Sequence, residues 1–86
     1  MFKVDLAPSP RHFYARAQRP LARRLARCFR QLEINPRRHN NIKSLKGSFV
    51  GLHRFRVGDW RVVYRIDDDQ GVVYVLDIAH RSNVYE

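Results

Sequence analysis

Apolar and polar positions alternate most regularly between Leu52 and Ile66, in two runs joined by Gly58-Asp59. Gly-Asp between alternating β-branched and aromatic residues signals a two-residue hairpin, because glycine reaches the backbone angles of the connection at little cost. Such a loop sets Val57 opposite Trp60. His53, Phe55 and Val57 then share one sheet face with Trp60, Val62, Tyr64 and Ile66, while Arg54, Arg56, Arg61, Val63 and Arg65 share the other. Upstream, Phe2 to Leu6 alternates briefly and predicts a short first strand, stopped by Pro8. Ser9 before Pro10 offers a helix cap followed by proline at the first helical position, and this helix ends before Arg19-Pro20. A second helix opens at Pro20, with Leu21, Leu25, Cys28 or Phe29, and Leu32 recurring as a core stripe. Asn35-Pro36 closes it and starts a polar loop through His39 to Asn41, with His39 at the surface. After the hairpin, Asp67 to Gly71 reads as a solvated acidic turn. Val72 to Ala79, apolar on both faces, reads as a central or nearly central strand. With Ile66 and Val72 flanking the turn on the core side, Tyr74, Leu76 and Ile78 belong to the core face. Val73, Val75, Asp77, Ala79 and Arg81 then join the arginines.

These elements predict an α+β fold with two N-terminal helices on one face of a largely antiparallel four-stranded sheet, in the order β-α-α-β-β-β. Eighty-six residues suit one domain, residues 1–86, with a single modest core. No run approaches the roughly 18 apolar residues of a membrane span, and no signal-peptide pattern opens the chain. The lone Cys28 makes no internal disulfide and reads as a small buried residue, and the His and Cys spacings form no zinc pattern. A cytoplasmic protein without metal or cofactor is expected.

Charge alters this picture. The net charge is +9, mostly from arginine. That balance points to a polyanionic partner, with nucleic acid the default and an acidic protein the alternative. Arginine's planar fork suits bidentate phosphate contacts. The hairpin register also sets Arg56 against Arg61, and like charges directly opposite each other destabilise a strand pair by a few tenths to about 1 kcal/mol. A local rule broken without compensation marks a candidate site, here for an anion; the alternative is a solvated face whose arginines pair with neighbouring acids. Arg23, Arg24, Arg27 and Arg30 form either a solvated helix face or a surface that steers RNA or docks an acidic partner. Lys43 and Lys46 extend the positive character toward the hairpin.

Cutting RNA without a metal requires removing the 2′-hydroxyl proton, stabilising charge at phosphorus and protonating the departing 5′-oxygen. Arg54, Arg56, Arg61 and Arg81 can hold the phosphate and offset its developing charge. Tyr85 is the candidate base, since neighbouring cations favour the phenolate, although a terminal aromatic can equally pack against the sheet. His80 is a further acid or base candidate, as histidine is the side chain suited to that work near neutral pH. Its strand parity points it to the core side, where a structural role is the alternative.

The pattern Leu45-Lys46-Gly47, then Arg54 through Tyr64, Ile78-Ala79-His80-Arg81 and Val84-Tyr85 resembles the RelE-type toxins of the RelE/ParE toxin–antitoxin superfamily. The resemblance covers nearly the whole chain, most specifically its second half. It implies the fold above and an endoribonuclease that cleaves messenger RNA in the ribosomal A site, neutralised by a cognate acidic antitoxin. Arg54 and Arg56 stand where the family has Lys or Arg on the RNA backbone, and Arg61 at its phosphate-binding arginine. Arg81 matches the arginine implicated at the leaving group, and Tyr85 the tyrosine implicated as general base. Lys43, Lys46, Arg65, Arg23 and Arg27 are candidate RNA contacts. A ParE-like toxin that binds DNA gyrase, or a noncatalytic binding module, is the alternative.

Overall fold

The computed structural model describes residues 1–83. The chain runs β1 (Lys3–Leu6), α1 (Pro8–Arg16), α2 (Arg19–Ile34), β2 (Ile42–Ser44), β3 (Leu52–Val57), β4 (Trp60–Asp67) and β5 (Val72–His80), with short 3₁₀ turns at Gly47–Phe49 and Arg81–Asn83. The predicted α+β arrangement is present, with one more strand than expected. The sheet order is β1-β5-β4-β3-β2. Ile42–Ser44, read from sequence as loop, pairs antiparallel with β3. Three residues carry too little alternation to announce a strand, and the ladder of β3 supplies the partner that makes them one. β1 lies parallel to β5, so the sheet is mixed at one edge. β5 lies inside the sheet, between β1 and β4, as its two apolar faces predict.

Both helices start one to two residues earlier than their prolines suggest. Pro10 and Pro20 sit within the first turn rather than opening it, and the caps are Ala7 and Gln18, neither with a side-chain cap bond. Ser9 is therefore inside α1. Proline is tolerated there because the first-turn amides have no helical acceptor. Leu25, Cys28 and Leu32 are buried along α2, with Leu21 and Phe29 packed beside them. Each such large apolar side chain contributes about 1.5–3 kcal/mol relative to its exposed state. They close on Phe55, Val57, Val62, Tyr64, Val73, Val75 and Ile78.

The hairpin has the predicted register, with Val57 opposite Trp60 and Arg56 opposite Arg61. Gly58 has φ 60° while no other residue type among those described has positive φ, the requirement of a turn with glycine first. β5 departs from the expectation. Its ladder with β4 holds Val63 against Asp77 and Tyr64 against Val75, leaving Leu76 as an extra residue in a bulge. Residues 77 to 80 keep the expected faces, but those before the bulge are exchanged. Val73 and Val75 are core; Tyr74 pairs with Arg65 on the other face, and Leu76 is 38% exposed. Nothing in the run Val72 to Leu76 could reveal this, because every residue in it is apolar and either parity buries a hydrophobic side chain.

Candidate functional site

Strand alternation carries Arg54, Arg56, Arg61 and Arg65 to the face opposite the helices, over buried Val63 and Ala79. Their surroundings differ. Arg54 Nη1 donates to the Asn41 carbonyl at 2.9 Å, and its neighbour across the ladder is Lys43. Lys43, Lys46 and Arg54 line a hollow of about 140 Å³. Arg65 lies over the Tyr74 ring at 4.6 Å, toward the acidic turn.

At the hairpin tip a cleft of about 700 Å³ gathers Arg24 and Arg27 from α2, Arg56 and Arg61 from the hairpin, and Arg81 just after β5. Arg61 Nη1 donates to the carbonyls of Gly58 (2.9 Å) and Trp60 (3.1 Å), fixing the guanidinium against the turn, while its Nε is buried without a partner. The Arg81 amide donates to the Asp59 carbonyl at 2.7 Å, and its Nε lies 3.7 Å from Asp59 Oδ1, with both side chains largely exposed. That contact ties the residue after β5 to the turn between β3 and β4. Arg24 reaches the same turn so closely that a Cβ placed on Gly58 would stand 2.6 Å from Arg24 Nη2. Glycine at this position therefore serves both the positive φ and the approach of a guanidinium. Among the described residues lining this cleft, Asp59 is the one carboxylate.

Of the sequence candidates, the cleft unites Arg56, Arg61, Arg81 and Arg27. Arg54, Lys43 and Lys46 share the neighbouring hollow, Arg65 stands toward the far end of the face, and Arg23 is exposed on α2 outside the cleft. Tyr85 lies outside the described residues. His80 is on the helix side, edge-on to Trp60 at 5.2 Å, and its Nδ1 meets the Ser82 hydroxyl at 3.0 Å and accepts the Ser82 amide at 3.3 Å. His80 is not among the residues lining the cleft. Cys28 borders the cleft floor, but burial pushes its thiol well above its ordinary pKa, so it stays protonated.

Two contributors were not apparent from sequence. Arg24 was one of four helix arginines with no feature to single it out. His39, expected at the surface without a partner, lines the cleft, stacked on Phe55 with ring centroids 4.9 Å apart. His39 lies in the connection between α2 and β2, and its contact with Phe55 of β3 forms only when these segments come together in the fold. Among the described residues no group of three or more His, Cys, Asp or Glu gathers as a metal site, and no helix is long and apolar enough to cross a membrane.

A mixed sheet backed by two helices is an architecture shared with solved toxins. The YoeB/ParE toxin from Agrobacterium tumefaciens superposes with a TM-score of 0.80 at 19% identity, over 92% of this chain and 98% of that one. An archaeal RelE in its RelE–RelB complex from Pyrococcus horikoshii gives 0.78 at 22% identity, over 96% and 98%. In sequence, 57 residues are 46% identical to Toxin RelE of Mycobacterium tuberculosis, covering 66% of this chain and 57% of that protein. The chain spans about half the length of the curated relatives it matches. The model of the family described as the ParE toxin of type II toxin–antitoxin systems matches residues 6–85, and the chain belongs to that family. The RelE/ParE resemblance read from the sequence is thereby borne out.

Proposed function

We propose that this chain is the toxin of a type II toxin–antitoxin pair and acts as an endoribonuclease that cuts messenger RNA on the ribosome without a metal ion. The observation that carries the reading is the tip cleft, where five arginines from three parts of the chain meet one exposed carboxylate. Such crowding costs free energy in the isolated protein and is offset when a polyanion enters. The resemblance to RelE-type toxins, which implies cleavage of messenger RNA, supports RNA as that polyanion.

In the proposed reaction the 2′-oxygen attacks the adjacent phosphorus and the bond from phosphorus to the 5′-oxygen breaks. The 2′-hydroxyl proton passes to a base, for which Tyr85 is the candidate, a 2′,3′-cyclic phosphate forms, and the departing 5′-oxygen takes a proton from water. Arg56 and Arg61 hold the non-bridging oxygens, and Arg61 does so from a side chain already fixed by the turn, so little reorganisation accompanies the charge that develops. Arg81 stabilises the leaving oxygen electrostatically, since guanidinium rarely gives up its proton. Arginine at 54 and 56 likewise suits charge stabilisation rather than proton transfer. An acidic antitoxin that covers the same face would silence the toxin by charge matching.

The test is a translation reaction with purified protein, read by primer extension along the message. Cleavage by the wild type, with Arg61→Ala and Arg81→Ala each reducing it about 10²- to 10³-fold while folding normally, is the expected result. Intact message together with inhibited gyrase supercoiling would overturn the reading in favour of the gyrase branch.

A further inference from the structure

The tip cleft has two unlike walls. One is cationic: Arg56 and Arg61 of the open sheet face, with Arg81 just after β5. The other is on the helix side and holds an aromatic platform. There the His39 ring lies nearly flat on buried Phe55, with 29° between the planes. Its Nδ1 accepts the Asn41 backbone amide at 3.0 Å, so the neutral ring carries its proton on Nε2. The imidazole is thus anchored through one ring face and one nitrogen while the residue remains exposed. Arg27 and Gln31 of α2 line the same wall.

The strand between the walls explains their relation. Phe55 and Arg56 are consecutive in β3 and point to opposite faces. The last bond on this edge is from the Arg56 amide to the Asn41 carbonyl, at 2.9 Å; beyond it α2, not a strand, flanks the hairpin. A single nucleic-acid strand crossing this edge meets guanidinium on one side and a flat ring on the other, the pairing of groups that a nucleotide presents as phosphate and base. Single-stranded RNA is commonly bound through bases stacked on aromatic side chains, His among them. An acidic protein segment would satisfy the arginines but has no use for a propped, outward-facing ring.

We infer that the helix-side wall is a nucleobase subsite, in which the free face of His39, backed by Phe55, stacks a base of the RNA whose phosphate the arginine wall holds. The inference rests on the nucleic-acid reading above and adds to it the group that selects which base enters. Arg27 and Gln31 stand where they meet the edge of that base.

The experiment measures binding, so it does not depend on cleavage. Fluorescence anisotropy is followed with 2′-O-methylated tetranucleotides, A4 and U4, on wild type, His39→Ala, His39→Phe and Arg61→Ala. Wild type binds A4 more tightly than U4, because the larger purine stacks better. His39→Ala weakens A4 about tenfold and removes the difference between the two, whereas His39→Phe keeps A4 affinity within about twofold. Arg61→Ala weakens both oligonucleotides alike. Unchanged A4 binding in His39→Ala, with the Arg61→Ala loss intact, overturns the base subsite alone. So does an equal loss in His39→Phe, which would mean that the ring nitrogen and not the ring face matters. Wild-type protein that binds neither oligonucleotide overturns both this subsite and the RNA reading.

Discussion

The two ends of the sheet handle arginine in opposite ways. At the end bearing the turn between β4 and β5, Arg37 makes a bidentate pair with Asp68, at 2.9 and 2.8 Å, and Tyr64 donates from the core to the Pro36 carbonyl at 2.6 Å. The paired guanidinium holds the Asp68 carboxyl below its usual pKa. At the hairpin end, Arg56 and Arg61 face each other across the ladder, and Arg24, Arg27 and Arg81 add to the same cleft. The first end is matched within the protein and its polar groups complete the fold. Among the described residues the second is mismatched, and a polyanion from outside would meet its electrostatic demand. Charge content alone does not separate these roles; the partner of each charge does.

The largest effect that would break this comparison concerns activity. Arg61→Ala and Arg81→Ala are expected to abolish most cleavage with little change in thermal unfolding, while Arg37→Ala leaves cleavage within about twofold, since phosphate positioning belongs to one end only. Equal losses from both ends, in the same primer-extension assay, would remove the distinction.

A second effect falls on stability. Tyr64→Phe leaves the Pro36 carbonyl without its donor beside the core, and urea unfolding should show a loss of about 1–3 kcal/mol. Oligonucleotide binding at the hairpin end should be unaltered.

pH gives a smaller, signed effect. Burial lowers the His53 pKa, helped by the charge of Arg37, and its Nδ1 is buried without a partner. Below its ordinary pKa near 6.5 the unfolded chain binds this proton more readily than the folded one, so His53 opposes folding as pH falls from about 7 toward 5. The melting temperature should drop over that window, and His53→Phe should flatten part of the drop. Asp68 acts in the same direction at lower pH. Its carboxylate supports the fold above its unfolded pKa, and that support is lost as pH falls through the depressed folded value. Asp68→Asn should therefore cause the smallest loss, one that high salt masks in a thermal melt because the pair is exposed.

Much of the hairpin end was legible in the chain. The Gly58-Asp59 turn fixes a register, and register fixes which side chains share a face, so Arg56, Arg61 and Arg54 could be grouped before any coordinates. The apolar stripe of α2 was equally readable, because helical spacing leaves few ways to bury Leu25, Cys28 and Leu32 together. His39 was not readable. It owes its place to Phe55 beneath it and to Asn41 beside it, and the former lies sixteen positions away. Tyr85 remains a candidate on sequence grounds and lies outside the described residues.

By itself, the sequence determined the local elements, the pairing of the hairpin and a surplus of guanidinium on one of its faces, since turns, strand alternation and helical periodicity are set by near neighbours. Only the tertiary structure decided that β5 changes parity at Leu76, that Ile42–Ser44 becomes an edge strand, and that Arg24 and His39 join the cleft. Those outcomes follow from packing between distant segments, where several local choices bury comparable surface and the rest of the fold selects among them.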